Sequence, residues 1–422
     1  MQGAAIAGAA AAKNDVTSLF NNPATLTTLL KNQIYIGASG ILPRVGVSDA
    51  QALHTVNIPG VPPSIISGHV SGASSQNNIN NASLVPDAYL SFRLNPNVVA
   101  GISITEPFHL NTQYSNDSVL RYSALTSKIN SLDINPNIAF EANKNISIAA
   151  GLQVQYLQAR FSNFNGPYTD SDPINSIISA TSPTHFQGDD WALGYTLGAL
   201  YQPNNSTRLG IGYRSKISNK LEGQGAYMTV PGDVTPAPSQ SFWFNGQSSV
   251  YMPITTPAVL TAGLEQDIND WTIKATAQFN FWSSFESLSV SMPQAYAINS
   301  TMSMNWNNAW FGSIGAAYHK NESLILRAGL AYDQTPTNSH FSNPLIPDSD
   351  IIWAALGISY VMTSHVSIDA AYGYIFIKNQ NLYIDQAYGK SINSTLPLEA
   401  NQANAHYNGS KNILSLGIRY HC

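Results

Sequence analysis

The chain contains 422 residues, of which 44% are hydrophobic but only 10% are charged, and its formal net charge is -5. Soluble domains carry about 25% charged residues, so this composition disfavours a soluble protein with an ordinary charged surface. It is typical of a transmembrane β-barrel, whose lipid-facing band needs no charge and whose lumen is polar. The basic residues form no run, which disfavours nucleic acid as a partner.

Cysteine content and hydropathy narrow the class further. Cys422 is the single cysteine, so an intrachain disulfide is ruled out. No apolar run reaches the ~18 residues that a membrane-spanning helix requires. Residues 3–12 come nearest, but they lack the basic region and leucine-rich core of a signal peptide. An outer-membrane protein needs a signal, and we expect it to have been removed or to lie outside this sequence.

The N-terminal segment (residues 1–31) shows no strand-like alternation. Its alanine-rich part, "GAAIAGAAAAKND", predicts a helix because alanine has the highest helix propensity. "NPATLTTLLK" predicts a second, short helix with Asn22 as the N-cap and Pro23 at the first position. Such a segment has three alternatives: a plug in the lumen of a barrel, a periplasmic location, or disorder. Its apolar, small-residue content argues against disorder.

From about residue 33 onward, apolar and polar residues alternate. "NISIAAGLQVQY" places Ile146, Ile148 and Leu152 on one face and Ser147 and Gln153 on the other. The same alternation occurs in "DWTIKATAQFNFW", "ESLILRAGLAYD", "HVSIDAAYGYIF" and "NILSLGIRYHC". A period of two predicts strands with two different environments, and lengths of about ten residues suit a tilted strand that crosses a bilayer.

Turn signals rich in Asn, Asp and Pro divide these strands. Six short ones lie at residues 94–98, 142–146, 202–206, 266–271, 318–323 and 361–366. Longer polar segments, predicted as loops, lie at residues 46–82, 115–127, 163–188, 222–250, 286–304, 334–349 and 379–406. Six hairpins with one opening and one closing strand predict an all-β, antiparallel barrel of about fourteen strands. A soluble sandwich, jelly roll or propeller is the alternative, but it predicts shorter strands and more surface charge.

Several segments, in order along the chain, resemble the FadL-like family of outer-membrane transporters for long-chain fatty acids and other hydrophobic compounds. They are "GAAIAGAAAAKNDVTSLFNNPATL", "VPDAYLSFRLNPNVVAGISITEPFHLNTQY", "INPNIAFEANKNISIAAGLQVQY", "FNFWSSFESLSV" and "LRAGLAYDQTPT" followed by "LIPDSDIIWAALGISY". The resemblance implies a small helical hatch (residues 1–31) in the lumen of a transmembrane barrel (residues 32–422). It also implies that the family's mature chain begins upstream of Met1.

The resemblance further implies passive uptake across the bacterial outer membrane. Cargo would be captured at an extracellular groove, enter an apolar pocket in the lumen and leave sideways through the barrel wall. The opening would lie at a kinked third strand that touches the hatch motif. The hatch or gate residues would be Asn22, Pro23 and Ala24. An ordinary N-capped helix start is the structural alternative for these three residues.

The lateral opening in the third strand would lie at Pro107, Phe108 and His109. Proline removes a hydrogen bond from the ladder, which leaves a gap unless another group fills it. His109 departs from the glycine that the family usually has there, and its bulk is expected to change the kink or to narrow the opening. A strand end near the outer rim is the structural alternative.

Three basic residues, Arg160, Arg327 and Lys274, lie on or near predicted polar faces and are candidates to bind a substrate carboxylate. Arginine suits a carboxylate because its guanidinium offers paired donors. Ion pairing inside the lumen, with neighbours such as Asp369 or Glu141, is the alternative and is favoured for each residue.

The sequence offers no sign of catalysis or of a cofactor. Asp348 and Asp350 lack further ligands and are interpreted as rim charges. The nine histidines show no metal-binding spacing, and neither a serine-hydrolase nor a phosphate-loop motif occurs. No enzyme activity, metal or cofactor is therefore expected. The expected partners are a hydrophobic small molecule and the lipid and lipopolysaccharide around a monomer.

Four other functions stay open at this point. An uptake channel for aromatic hydrocarbons on the same fold needs a similar pocket. A general porin needs a charged, water-filled constriction, and an adhesin would act through the long loops. A barrel lipase would need only a Ser–His pair that meets in space.

Overall fold

The structure is a computed structural model that describes residues 2–57, 65–165, 182–229, 244–292, 299–337, 342–388 and 399–422. Within these ranges the chain forms antiparallel strands and a few short 3-10 helices, and none of its helices is long and apolar enough to cross a membrane. The strands are β1 (Gln33–Asn57), β2 (Ile65–His69), β3 (Ser83–Asn95), β4 (Val98–Thr105), β5 (His109–Gln113), β6 (Thr126–Asn143), β7 (Ile146–Asn165), β8 (Ser182–Tyr201), β9 (Thr207–Arg214), β10 (Ile217–Thr229), β11 (Phe244–Thr256), β12 (Val259–Ile268), β13 (Trp271–Asn280), β14 (Ser287–Ser291), β15 (Asn299–Ser303), β16 (Ala309–Asn321), β17 (Leu324–Asp333), β18 (Ile351–Val361), β19 (Val366–Tyr388) and β20 (Glu399–His421).

Fourteen of these strands form a closed ring. Its order is β1, β3, β4, β6, β7, β8, β9, β12, β13, β16, β17, β18, β19 and β20, and β20 pairs back with β1. The closing pair runs antiparallel from Gln33–His421 to Val56–Glu399. Closure leaves the ring without an open sheet edge, which a sheet in lipid requires. The predicted fourteen-stranded barrel is confirmed.

The six predicted short turns are confirmed, because each one joins two neighbouring strands at one end of the barrel. The predicted long loops are partly wrong. At the other end, β1 continues to Asn57, β19 continues to Tyr388, and β20 begins at Glu399. The polar side chains there suggested loops, but strands that extend past the lipid do not need an apolar outer face.

The two faces of the wall strands differ as predicted. On β20, Leu416 is 67% exposed on the outer face, and on β7 Ile148 is 51% exposed, whereas its neighbour Ser147 is 1% exposed inside. The apolar belt is therefore the lipid-facing surface and the polar belt lines the lumen. Where the strands extend, the interior is instead apolar and rich in methionine, with Met252, Met292 and Met304 in one buried cluster.

The N-terminal segment lies against the inner face of the barrel. It contains the 3-10 helices η1 (Gln2–Ala4), η2 (Val16–Phe20) and η3 (Pro23–Thr28). Asn22 caps η3, and Pro23 is its first residue, as predicted. The leucines Leu19 and Leu26 form a buried cluster with Tyr89 and Val99 of the wall.

The helix predicted for the alanine-rich part is wrong. Residues 5–11 form successive turns, and Ala5 and Ile6 adopt positive φ angles of 49° and 64°, which an α-helix does not allow. The Thr276 hydroxyl accepts from the Ala9 N–H at 3.0 Å and donates to the Ile6 carbonyl at 3.0 Å. Helices this short are marginal on their own, so contacts with the wall decide the backbone conformation.

Candidate functional site: an interrupted strand beside a lumen cavity

The third barrel strand is interrupted. Its lower part, β4, ends at Thr105 and its upper part, β5, begins at His109. On one side, β3 pairs with β4 as far as Ala88–Ile104. Pairing resumes at Asn80–Thr112 in the same register, so no residue is inserted between the two paired stretches. Residues 83–87 of β3 therefore face residues 105–109 with no ladder pairing described between them.

The opposite side of the interruption is closed. There β6 pairs with β4 up to Thr105–Asp133 and with β5 from His109–Asn130. Between these pairs, the Ser131 hydroxyl accepts from the Phe108 N–H at 2.8 Å and donates to the Phe108 carbonyl at 3.0 Å. A side chain thus replaces the missing ladder bonds on the β6 side, and the gap in the wall is confined to the β3 side.

The three residues predicted for the opening have different surroundings. Pro107 lines the lumen cavity described below. The Phe108 ring lies edge-on to Trp282, with 6.2 Å between centroids. His109 reaches across the gap: its Nε2 lies 2.7 Å from Ser83 Oγ on β3, and its Nδ1 lies 2.7 Å from Glu106 Oε1.

A cavity of about 340 Å³ lies inside the barrel next to this gap. Both edges of the gap contribute to it, through residues 85–87 and residues 105–107. The N-terminal segment contributes Phe20, β17 contributes Arg327 and β20 contributes Arg419. The cavity is therefore continuous with the interruption in the wall and carries both apolar and charged groups.

The predicted gate residues lie on a different part of the wall. The Asn22 side chain donates to the carbonyls of Ala10 at 2.7 Å and Ala199 at 2.9 Å, and it accepts from the Ala24 N–H at 3.0 Å. Its described hydrogen bonds are thus with the N-terminal segment and β8, and a contact of this motif with the third strand stays a prediction. Leu26, from the same helix, instead packs against Gly101 of β4.

Glycines of β8 and β9 make this close approach possible. An ideal Cβ on Gly198 would lie 2.2 Å from Asn22 Oδ1, and one on Gly210 would lie 1.7 Å from the Ala10 carbonyl oxygen. Any larger side chain at either position would collide with the N-terminal segment. The buried Ala24 completes the contact.

An ion-pair network joins the N-terminal segment to the cavity wall. Arg419 lies 2.9 Å from Asp15 and 3.2 Å from Asp369, and Arg327 lies 3.8 Å from Asp369. Burial alone would raise the pKa of Asp15, but Arg419 and hydrogen bonds from Thr17 outweigh it, so the pKa lies well below its usual range. The predicted alternative of ion pairing with Asp369 is confirmed for Arg327.

The other two carboxylate candidates lie outside the cavity. Lys274 forms an ion pair with Glu265, which also binds Arg208 at 3.2 Å. Arg160 is exposed on the outer face of β7, which corrects its assignment to a polar, lumenal face. The physical reason is that β7 extends past the lipid, where its outer face no longer needs to be apolar.

Arg419, Ser83 and Ser131 were not among the predicted site residues. Arg419 carried a signal, because it falls on the inward side of the alternation in the last strand. The two serines carried none, since their importance depends on the neighbours that the register gives them. Among the described residues, no group of three His, Cys, Asp or Glu side chains is arranged to hold a metal ion.

A closed fourteen-stranded barrel with an apolar outer belt, a polar lumen and an inward-folded N-terminal segment defines a transmembrane β-barrel of the outer-membrane type. The chain belongs to the family described as outer membrane protein transport protein (OMPP1/FadL/TodX), which it matches over residues 1–421. It is therefore an outer-membrane protein of a transport family, as the sequence segments indicated.

Relatives and solved structures agree with this assignment. A putative outer membrane protein of Neisseria meningitidis is 25% identical over 389 residues, which cover 86% of this chain and 81% of that protein. The long-chain fatty acid transport protein of Escherichia coli K12 is 23% identical over 395 residues, covering 87% of this chain and 83% of the relative.

The fold is shared with solved outer-membrane structures. A FadL homologue of Pseudomonas aeruginosa matches with a TM-score of 0.81 and 22% identity, covering 100% of this chain and 97% of that one. The toluene transporter TbuX of Ralstonia pickettii matches with a TM-score of 0.66 and 18% identity, covering 97% of this chain and 95% of that one.

Proposed function

We propose that this protein takes up long-chain fatty acids or similar hydrophobic molecules across the bacterial outer membrane, without an energy source. Cargo would pass from the apolar, methionine-rich interior to the cavity and leave sideways through the interrupted third strand. The observation that carries the proposal is the continuity of the cavity with the gap between residues 83–87 and 105–109. A lateral exit would deliver an apolar molecule into lipid and spare it a passage through water.

The N-terminal segment would act as the hatch of this barrel, with Asn22, Pro23 and Ala24 as its anchor. In support, Asn22 and Ala24 are fully buried, and Asn22 bonds both to the segment itself and to β8. Such a hatch blocks a straight path through the lumen. Cargo would then be directed to the side wall.

Fatty acids are the first candidate cargo because a relative is named for their transport. Of the three predicted carboxylate binders, Arg327 alone lines the cavity, so we assign it that role in competition with Asp369. Aromatic hydrocarbons are the second candidate. The ring of Phe108 lies edge-on to Trp282, whose ring centroid lies 4.9 Å from that of Trp306, and such a group of aromatic rings suits flat aromatic molecules.

Transport into lipid vesicles tests the proposal. We expect the purified full chain in vesicles to accelerate the entry of labelled oleate or labelled toluene above the rate of protein-free vesicles. Deleting residues 2–24 or changing Pro23→Ala should alter this rate while the barrel stays folded. The Arg160→Ala variant is the matched control, because its side chain lies outside the lumen.

Two results would contradict different parts of the proposal. If the full chain moves neither compound faster than protein-free vesicles, the transport function is wrong. If the chain transports but the deletion and Pro23→Ala leave the rate unchanged, the hatch role is wrong. A large single-channel conductance of the full chain would favour a general porin instead.

A further inference from the structure

We propose that His109 is the latch of the lateral gap: its hydrogen bond to Ser83 holds the third strand against β3, and the gap opens for cargo when this bond breaks. The inference rests on the proposed lateral exit and adds a named gating residue to it. It assigns a role to His109, the third of the three residues predicted for the opening. Of the other two, Pro107 lines the cavity and Phe108 contacts Trp282.

The position of the bond carries the inference. In the register shared by Ala88–Ile104 and Asn80–Thr112, Ser83 stands directly opposite His109. Asn81 still bonds Asn111, two positions above. Between residues 83–87 and residues 105–109, however, the His109–Ser83 bond is the one hydrogen bond described across the gap. Over these five positions, the described hydrogen bonding between β3 and the third strand therefore depends on one side chain of the third strand.

The chemistry of the bond fixes its direction. A carboxylate can only accept, so His109 Nδ1 carries the proton that is donated to Glu106. In the neutral imidazole, Nε2 then accepts from the Ser83 hydroxyl. Glu106 belongs to the same interruption and orients the ring toward β3. It is a positioning residue for the latch.

The latch is weak enough to open. The side chains of His109 and Glu106 are 20% and 16% exposed, so the bond is shielded but not sealed from the surroundings. One neutral hydrogen bond contributes far less stability than the backbone ladder that the same five positions would form elsewhere in the wall. His109 also occupies the gap with its ring, so bulk and bond act together.

Two substitutions separate the bond from the bulk. Ser83→Ala removes the bond but leaves the imidazole in the gap, and His109→Gly removes both. We expect labelled oleate to enter vesicles roughly two- to tenfold faster with Ser83→Ala, the factor given by one hydrogen bond, and faster still with His109→Gly. Ser218→Ala is the control, because Ser218 bonds Thr255 at 3.2 Å between strands that stay fully paired.

A reversible cross-link tests the same claim from the other direction. In a Cys422→Ser background, Ser83→Cys and His109→Cys are joined with a reducible bis-methanethiosulfonate reagent. We expect transport to fall to the rate of protein-free vesicles and to return after reduction. The same treatment of Ser218→Cys with Thr255→Cys should leave transport unchanged, because it bridges strands already paired.

The outcomes separate the latch from the transport function. If the unmodified chain carries no compound, the proposed function fails. If it transports, but the Ser83 and His109 substitutions leave the rate unchanged or lower it, the latch is wrong. Equal transport by the cross-linked and reduced proteins overturns it as well, even where His109→Gly does not fold.

Discussion

Two interruptions among the described wall strands can be compared, one in the third strand and one between β9 and β10. In the third strand, residues 106–108 separate β4 from β5, and on one side residues 83–87 face no partner strand. Between β9 and β10, at Ser215 and Lys216, the ladder to β8 also stops, from Thr196–Arg214 to Asp189–Glu222, but hydrogen bonds to β8 remain beside Ser215. The Ser215 N–H donates to the Tyr195 carbonyl at 2.9 Å, and the Tyr195 N–H donates to Ser215 Oγ at 2.9 Å.

Packing distinguishes the two places as well. Beside Ser215, an ideal Cβ on Gly194 would lie 2.6 Å from Ile217 Cγ1, so the strands there are in direct contact. Beside Pro107, both edges of the interruption line the cavity. Close packing and hydrogen bonds therefore close the interruption beside Ser215, whereas a cavity adjoins the one beside Pro107. The β8–β9 wall anchors the N-terminal segment, whereas the third strand is suited to an exit.

The largest expected effect comes from disturbing the anchoring wall. Gly210→Val places a side chain where the Ala10 carbonyl lies, so we expect the N-terminal segment to leave β9 at a cost of about 3 kcal/mol. Single-channel conductance should rise from nearly closed to that of an open pore. Gly312→Val is the control, because no atom lies within 4 Å of its ideal Cβ. An unchanged conductance of Gly210→Val would show that this wall does not hold the segment.

The second largest effect is expected from the ion pair between Asp15 and Arg419, which stabilises docking of the N-terminal segment. Asp15→Asn removes a charge-assisted bond to Arg419, which we expect to destabilise docking of the N-terminal segment by about 2 kcal/mol. Because the folded pKa is lowered, this contribution is complete above the ordinary value of about 3.9 and is lost as the pH falls through the folded pKa. The protection of the η2 amides against hydrogen exchange, relative to the rate of an unstructured chain at the same pH, should therefore be constant from pH 7 to about pH 5 in the unchanged chain.

Asp15→Asn provides the matched measurement at acid pH. Its docking should not depend on this ionisation, so the two proteins are expected to converge as the pH is lowered. Docking of the unchanged chain that weakens as the pH rises from 5 to 7 would contradict the assigned direction.

A smaller effect separates the two interruptions directly. Ser131→Ala removes both hydrogen bonds to Phe108, for which we expect a loss of about 1–2 kcal/mol in the free energy of unfolding together with faster transport. Ser215→Ala removes one bond to Tyr195, and we expect about 1 kcal/mol with no change in transport. Faster transport through Ser215→Ala would mean that the two interruptions are equivalent.

The smallest effect is expected for Arg160. Its side chain is exposed on the outer face, so Arg160→Ala should change the free energy of unfolding by less than about 0.5 kcal/mol and should leave oleate transport unaffected. Arg327→Ala, inside the cavity, is the contrasting variant. A strong loss of fatty acid transport by Arg160→Ala alone would restore Arg160 as a carboxylate binder.

The sequence predicted the barrel well because its alternation reports which face meets lipid. Ile148 and Leu416 lie on the apolar face, as the period of two predicts, and all six predicted short turns join neighbouring strands. Prediction failed where tertiary contacts override local preference. The alanine-rich part of the N-terminal segment forms turns that are bonded to Thr276 instead of a helix. Arg160 lies on the outer face of β7, where this strand extends beyond the lipid.

The site was only partly predictable. Pro107 predicted an interruption, because proline has no backbone N–H to donate to the ladder. The sequence did not predict that the gap lies on the β3 side or that Ser131 closes the β6 side, because both depend on which strands become neighbours. The partners of His109 and Arg419 are set by that same register and lie far away in sequence.

Photo-cross-linking with a diazirine-bearing fatty acid tests the lateral exit most directly. The protein is reconstituted in vesicles, irradiated during transport, and its adducts are mapped by mass spectrometry. We expect adducts to concentrate on residues 85–87 and 105–107, at the two edges of the gap. Adducts at the interruption between β9 and β10, or only on the outer lipid-facing belt, would contradict an exit through the third strand.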